Sequence, residues 1–355
     1  MTARPLDIYL GPSAARVLAE EGWSGKRFET LVGASGGPKW LILGHLDRLL
    51  FGDFLLNERR EPLKAIGSSV GSWRHACLAM DDPVAAIDRF EDIYLNWEYS
   101  AKPDVAEVSA ASAAMLAHIF GPYGATALIN HPLLHTYIVT ARGEGLTSAQ
   151  AALPLAIGMG GAALNNALSR QRLVNNFQRV IFSSKDAPAF GPGDFRTQQV
   201  PLSVDSVAKA LHASGSIPFV LAGERDIPGA PPGHYWDGGI IDYHFDLHTL
   251  NTDSLILYPH FRGDLTTGWF DKFLPWRRQQ KPSIDNLVLL CPSDDFVASL
   301  PGGKIPDRSD FTRMTPDERQ RIWRISVERS RELAEDFAAQ LASTDPLAGT
   351  KRLEF

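Results

Sequence analysis

Apolar and polar positions along this chain fall into two kinds of run. Short, nearly continuous apolar runs bounded by turn residues predict buried strands: FETLVGA (Phe28 to Ala34), PLKAIG (Pro62 to Gly67), HTYIVTA (His135 to Ala141), FQRVIFS (Phe177 to Ser183), HYWDGGIIDY (His234 to Tyr243), DSLILYP (Asp253 to Pro259) and NLVLLCP (Asn286 to Pro292). Between them lie runs with helical spacing. PKWLILGHLDRLLF (Pro38 to Phe51) starts with a proline, tolerated at a first helical position where no N–H is needed. PVAAIDRFEDIYLNW (Pro83 to Trp97), DVAEVSAASAAMLAHIF (Asp104 to Phe120) and SVDSVAKALHAS (Ser203 to Ser214, with a serine cap) follow the same period. The run from Met314 to Leu341 predicts one long charge-laced helix with a threonine cap and early acids. This alternation predicts one α/β domain over residues 1–355, a three-layer α/β/α arrangement around a mainly parallel sheet.

Composition narrows the function. The 355 residues are 44% hydrophobic and 21% charged, enough for a sizeable core without disulfides. The net charge of −6 and the absence of a Lys/Arg cluster set nucleic acid aside as a partner. The two cysteines, Cys77 and Cys291, are too few for a disulfide framework, and no Cys/His spacing suggests a metal site. The first residues lack an apolar leader core, so the expected compartment is the reducing cytoplasm. The weakly polar run from Ala151 to Leu164 is shorter than a bilayer span and rich in glycine, and reads as a small-residue packing helix.

Two glycine-rich loops carry candidate chemistry. The first, VGASGGPKW (Val32 to Trp40), joins a strand to a helix start and gathers backbone N–H groups at one spot. Pro38 between Gly37 and Lys39, with Trp40 following, breaks the nucleotide-cradle pattern, so an oxyanion-binding turn fits better. The second is AIGSSVGSWRH (Ala65 to His75). Gly67-Ser68-Ser69-Val70-Gly71 fits G-x-S-x-G between a short apolar strand and a helix, which makes Ser69 the candidate nucleophile. The Val70 N–H is a candidate oxyanion donor at the helix start. A serine hydroxyl needs a base, and Asp237, before Gly238 and Gly239 in HYWDGGIIDYH, is the best acidic candidate. Tyr235 and Trp236 beside it would exclude water and raise its pKa toward a useful value.

Taken in order, these landmarks resemble the patatin-like phospholipases. Ser35-Gly36-Gly37-Pro38-Lys39 is similar to the family's oxyanion loop with its basic residue, Gly67 to Gly71 to its elbow, and Asp237-Gly238-Gly239 to its D-G-[GA] motif. HASGSIPFV (His212 to Val220) looks like the family's A-S-x-A-x-P segment. The landmarks span residues 33–239, and residues 260–355 carry no recognised signature. The resemblance implies a three-layer α/β/α fold and a Ser69–Asp237 dyad without histidine. It implies lipid acyl-ester hydrolysis with no metal or other cofactor, and oxyanion N–H groups from Gly36 and Gly37. Three departures concern the shape of the loop and the acyl pocket: Ser35 stands in place of the first loop glycine, Trp40 in place of a small residue, and Ser72-Trp73 where small residues are usual.

Two alternatives remain open at this point. Ser69, Asp237 and His260 satisfy the chain order of an α/β-hydrolase triad, as an esterase or polyester depolymerase would need, with His244 and His248 nearby. The other is a non-catalytic lipid- or protein-binding module on the same scaffold. Lys39 is a possible anion contact, with pairing to a carboxylate its structural alternative. The stretch from Gly268 to Lys281 sets Trp269, Phe270, Phe273 and Trp276 beside Arg277 and Arg278, which suits peripheral contact with a membrane interface and equally a lid packed on the core.

Overall fold

The computed structural model describes residues 4–191, 193, 195–277 and 284–353. Among the described residues, eleven strands form one mixed, mostly parallel sheet: β1 Leu6–Leu10, β2 Phe28–Gly33, β3 Leu63–Ser68, β4 Leu134–Gly143, β5 Phe177–Ser183, β6 Thr197–Pro201, β7 Glu224–Arg225, β8 His234–Asp237, β9 Leu255–Pro259, β10 Leu287–Pro292 and β11 Lys351–Arg352. Their spatial order is β11-β1-β10-β9-β2-β3-β4-β5-β6, with the β7–β8 hairpin attached to β4. Every residue of β5, β9 and β10 is buried. Strands buried on both faces need helices on both sides, which gives the three-layer α/β/α architecture.

The register around β4 decides where the site forms. β5 pairs along one edge of β4, from Tyr137 to Gly143. The other edge is shared. β3 runs parallel to it up to Ser68, opposite Val139, and β8 comes in antiparallel and ends at Asp237, opposite Thr140. The C-terminal ends of β3 and β8 therefore meet head to head at one point of the sheet.

Several elements depart from their sequence pattern. The Pro38–Phe51 run is not one helix. Gly37–Leu43 is a 3₁₀ stretch, Gly44–Leu49 a short α-helix and Leu50–Phe54 a π-turn. Tertiary partners set this path: Lys39 pairs with Asp307, and Trp40 stacks on Phe90 at 4.1 Å between ring centroids. The HYWDGGIIDY strand stops at Asp237, whose carboxylate accepts from Gly239 N–H and starts a 3₁₀ turn. The C-terminal helix breaks at Ser330 into Pro316–Arg329 and Arg331–Leu341. Ser330 Oγ donates to the Val327 carbonyl at 2.7 Å, the acceptor that a continuous helix would give to Arg331. Caps at Asp82, Asp104 and Thr315 start their helices by accepting from Ala85, Glu107 and Glu318 N–H.

No single helix among the described residues is long and apolar enough to cross a membrane. The Val105–Phe120 and Gly124–Asn130 helices, bent by 67° at their break, reach that length and composition together. Ala111, Met115, Leu116 and Ile119 of the first are buried in the protein.

Candidate active site

The turn between β3 and the Val70–Leu78 helix holds Ser69 at φ 55°, ψ −131°. A residue with a side chain adopts this region only at a cost of about 1–3 kcal/mol, so the surrounding packing must impose it. The two flanking glycines show how. A methyl on Gly71 would lie 2.0 Å from the Gly33 carbonyl oxygen, and one on Gly67 2.6 Å from the Ser72 nitrogen. The elbow is thus pressed against the end of β2 on one side and its own helix on the other.

Hydrogen bonds complete the brace. Ser69 N–H donates to Ser214 Oγ at 2.9 Å, and Ser214 Oγ donates to the Val139 carbonyl at 2.7 Å. Ser72 Oγ lies 2.9 Å from the same Ser214 hydroxyl. Asp237 N–H donates to the Ser216 carbonyl at 2.8 Å. The Ser214–Ser216 corner therefore ties the elbow, β4 and the end of β8 together. Ser35, in the first glycine-rich loop, donates to Ser68 Oγ at 3.0 Å, so the loop and the elbow are joined directly.

Ser69 Oγ donates a 2.7 Å hydrogen bond to Asp237 Oδ2. The other carboxylate oxygen accepts from Gly239 N–H at 2.7 Å, which fixes the plane of the group. A methyl on Gly238 would lie 2.2 Å from the Val139 carbonyl, and one on Gly239 2.5 Å from Ser35 Oγ. The backbone contact leaves no room for a side chain at Gly238, and at Gly239 the Ser35 side chain would have to shift. Ser69 and Asp237 are each 6% exposed. Burial pushes the Asp237 pKa up to about 6, and the hydrogen bonds from Ser69 and Gly239, with the charges of Arg308 and Lys272, hold it from rising further.

Gly37 and Val70 each open a helical turn, where N–H groups have no partner within the helix. Gly36, Gly37, Ser69 and Asp237 line one cavity. A methyl on Gly36 would meet the Phe261 ring at 2.6 Å, and Gly37 takes a positive φ of 55°. Lys39 pairs with Asp307, and its Nζ lies 5.9 Å from the centre of the Phe261 ring.

The three histidines of the triad alternative lie elsewhere. His244 and His260 are buried against each other and Phe261. His244 Nδ1 accepts from Thr266 N–H, and His260 Nδ1 is 2.6 Å from the Arg262 carbonyl. Burial holds the His260 pKa down at about 3 and that of His244 well below its usual range. His248 is exposed on the surface.

Ser69 stands where two cavities meet. The first, about 370 Å³, is lined by Lys39, Lys272, Asp307 and Arg308 together with Ser69 and Asp237. The second, about 560 Å³, is lined mainly by apolar side chains such as Trp73, Val108, Met115, Leu221 and Phe311. Trp73 is fixed there by its Nε1 donating to the Leu211 carbonyl at 2.9 Å. Ser214, Lys272 and Arg308 were not singled out from sequence. Ser214 lies inside the His212–Val220 segment and Lys272 inside the Gly268–Lys281 stretch, whereas Arg308 stands in no motif.

In the aromatic segment, Phe270 is buried, while Phe273 and Trp276 are 66% and 72% exposed. Trp269 lines the first cavity. Arg278 to Lys281 lie outside the described residues.

The family model described as patatin-like phospholipase matches residues 31–244, more than half of the chain. Among solved structures, the chain is similar to VipD from Legionella pneumophila, with 14% identity over 100% of this chain and 76% of that one, at a TM-score of 0.35. A search of curated proteins finds no match.

Proposed function

The chain belongs to the patatin-like phospholipase family of lipid acyl hydrolases, and from that premise we propose that it cleaves a lipid carboxylic ester through an acyl-enzyme on Ser69, with Asp237 as general base. The observation that carries this reading is the direct 2.7 Å hydrogen bond from Ser69 Oγ to Asp237 Oδ2 at a strained, braced turn.

In the proposed reaction the Ser69 oxygen attacks the ester carbonyl while its proton passes to Asp237. The oxyanion is held by N–H groups of Gly36, Gly37 and Val70. Collapse breaks the ester C–O bond, and the proton on Asp237 goes to the departing alcohol. A water molecule then gives its proton to Asp237 and attacks the acyl-enzyme, and that proton returns to Ser69 as the fatty acid leaves. The Ser69 N–H is already committed to Ser214, so it is not counted among the oxyanion donors. The apolar cavity suits the acyl chain, and the polar one suits the alcohol portion.

We further propose that the enzyme meets its substrate at a membrane surface on the cytoplasmic side. The exposed Phe273 and Trp276, in the segment whose Trp269 lines the first cavity, support this contact, and two free, buried cysteines fit a reducing compartment. Vesicle co-sedimentation unchanged in a Phe273→Ala/Trp276→Ala variant would remove the membrane contact.

The test of the chemistry is labelling with a fluorophosphonate, followed by peptide mapping. An adduct on Ser69 is expected. A folded protein that turns over no ester and takes no label would make this a binding module instead.

A further inference from the structure

We propose that the Ala152–Leu168 helix is a dimerisation surface, through which two copies of this chain pair antiparallel about a two-fold axis at Gly160 and Gly161. The pairing does not depend on the hydrolase reading, and it is tested without turnover.

The helix is 17 residues long and holds no Asp, Glu, Lys or Arg. Its inner face, with Leu155, Met159 and Ala162, is buried in the core, and Met159 lines the first cavity. Both of its asparagines are engaged within the protomer. Asn165 Nδ2 donates to Asn176 Oδ1 at 2.8 Å, and Asn166 Nδ2 donates to Asp271 Oδ1 at 2.7 Å. The outer face is apolar from end to end. Leu153, Ile157, Leu164 and Leu168 are 73%, 58%, 63% and 61% exposed. At helical spacing they form one stripe, with Gly160 and Gly161 at its centre. A helix that is apolar all round is ordinarily enclosed all round, and this one is covered on one side only.

The stripe has the same spacing in both directions. Ile157 stands three positions before Gly160, and Leu164 three after Gly161. Leu153 stands seven before and Leu168 seven after. A second copy laid antiparallel, with the axis between the glycines, sets Leu153 against Leu168, Ile157 against Leu164 and Gly160 against Gly161. Such self-complementarity is what an isologous interface requires. With no charged side chain on the helix, no like charges of the pair are forced together along it.

The glycines point the same way. Gly158 has a reason inside the protomer, since a methyl there would lie 2.6 Å from the Leu146 carbonyl carbon. Methyls on Gly160 and Gly161 would meet no described atom within 4 Å. Glycine weakens a helix interior relative to alanine, and nothing in the protomer asks for it at these two positions. At a crossing of two helices the absent side chains let the backbones come close. A lipid surface has no use for two central glycines or for a symmetrical spacing, and the basic residues that draw an interfacial helix to anionic lipid are missing from this one.

The size of the face sets the strength of the pairing. The stripe exposes on the order of 500 Å², comparable with the largest patch on a typical monomer, about 300–600 Å². Two copies together bury about 1,000 Å², the least that a specific interface takes, so the dimer is a weak one.

Sedimentation equilibrium of the full chain from about 1 to 100 µM should show a monomer–dimer transition, with a dissociation constant on the order of 10 µM. Ile157→Glu or Leu164→Lys alone should weaken the dimer about 100-fold or more, because each buries an unpaired charge twice across the axis. Both substitutions in one chain should recover most of the affinity, since the antiparallel register sets each new acid against a new base. Both positions are exposed in the protomer, and far-UV circular dichroism checks that each variant folds. A chain that stays monomeric over this range, or a dimer that neither single variant weakens, would overturn the pairing. So would a double variant no better than the singles, which would exclude this register. A monomer that co-sediments with phosphatidylcholine vesicles, and ceases to with Ile157→Glu, would also overturn it and give the face to lipid.

Discussion

Ser69 Oγ and Asp237 Oδ2 are 2.7 Å apart although 168 positions separate them in the chain. β4 brings them together, because β3 and β8 end against adjacent residues, Val139 and Thr140, on the same edge. No histidine stands between them.

If Asp237 is the base, kcat/KM should fall as pH drops through about 6, where the carboxylate takes up a proton. Asp237→Asn should lower kcat by about 10²–10⁴ and abolish that acid limb. Single replacement of His248 should leave the profile in place. A pH profile measured with a soluble ester decides between them.

The same residue should show a trade of stability for function. The folded pKa is raised from 3.8 to about 6, so the ionised carboxylate costs stability that is lost as pH rises from about 4 through 6. At pH 7–8 Asp237→Asn should therefore be more stable than the parent, by on the order of 2–3 kcal/mol. At pH 4 the two should differ little. Denaturant unfolding at both pH values reads the effect.

Ser214→Ala removes the acceptor for the Ser69 N–H and one partner of Ser72. Leaving a buried donor unsatisfied costs about 1–3 kcal/mol. A loss of stability in that range is expected, with slower fluorophosphonate labelling of Ser69 as its angle loosens. Labelling at the parental rate would show that the glycines alone hold the elbow.

Gly71→Ala sets a methyl against the Gly33 carbonyl, at a separation that backbone must move to relieve. Labelling of Ser69 should be lost even in the fraction that folds. By contrast, Gly160 has open space around a methyl, so Gly160→Ala should be neutral or mildly stabilising in its helix.

Chain-length preference should follow the apolar cavity. Val108→Trp places a large ring in that space without touching Ser69 or Asp237. Its expected result is a shift of kcat/KM toward short acyl chains, read on a series of p-nitrophenyl esters. An unchanged preference would place the acyl chain elsewhere.

Much of this was legible in the sequence for physical reasons. β2, β3, β5, β9 and β10 are covered on both faces, so their apolar runs are nearly continuous. The glycines around Ser69 and Asp237 were legible because close backbone contact admits no other residue there. β6 was not seen, since TQQVP is a half-exposed edge strand with little apolar signal. LDIYL, which forms β1, is apolar enough but pairs antiparallel with a strand almost 300 residues later, a partner that no local pattern announces. Arg308 was silent for a related reason. An isolated cation in a turn joins the lining of the Ser69 cavity only once the fold has placed its loop.

The shared edge of β4 also governs when the chain can act. During synthesis the elbow emerges long before β8, so an unfinished polypeptide carries the serine without its carboxylate. A molecule with only β3 in place has nothing to accept the serine proton. The Ser69–Asp237 pair therefore exists only once β8 has docked on β4, and esterase activity during refolding should not appear before that pairing.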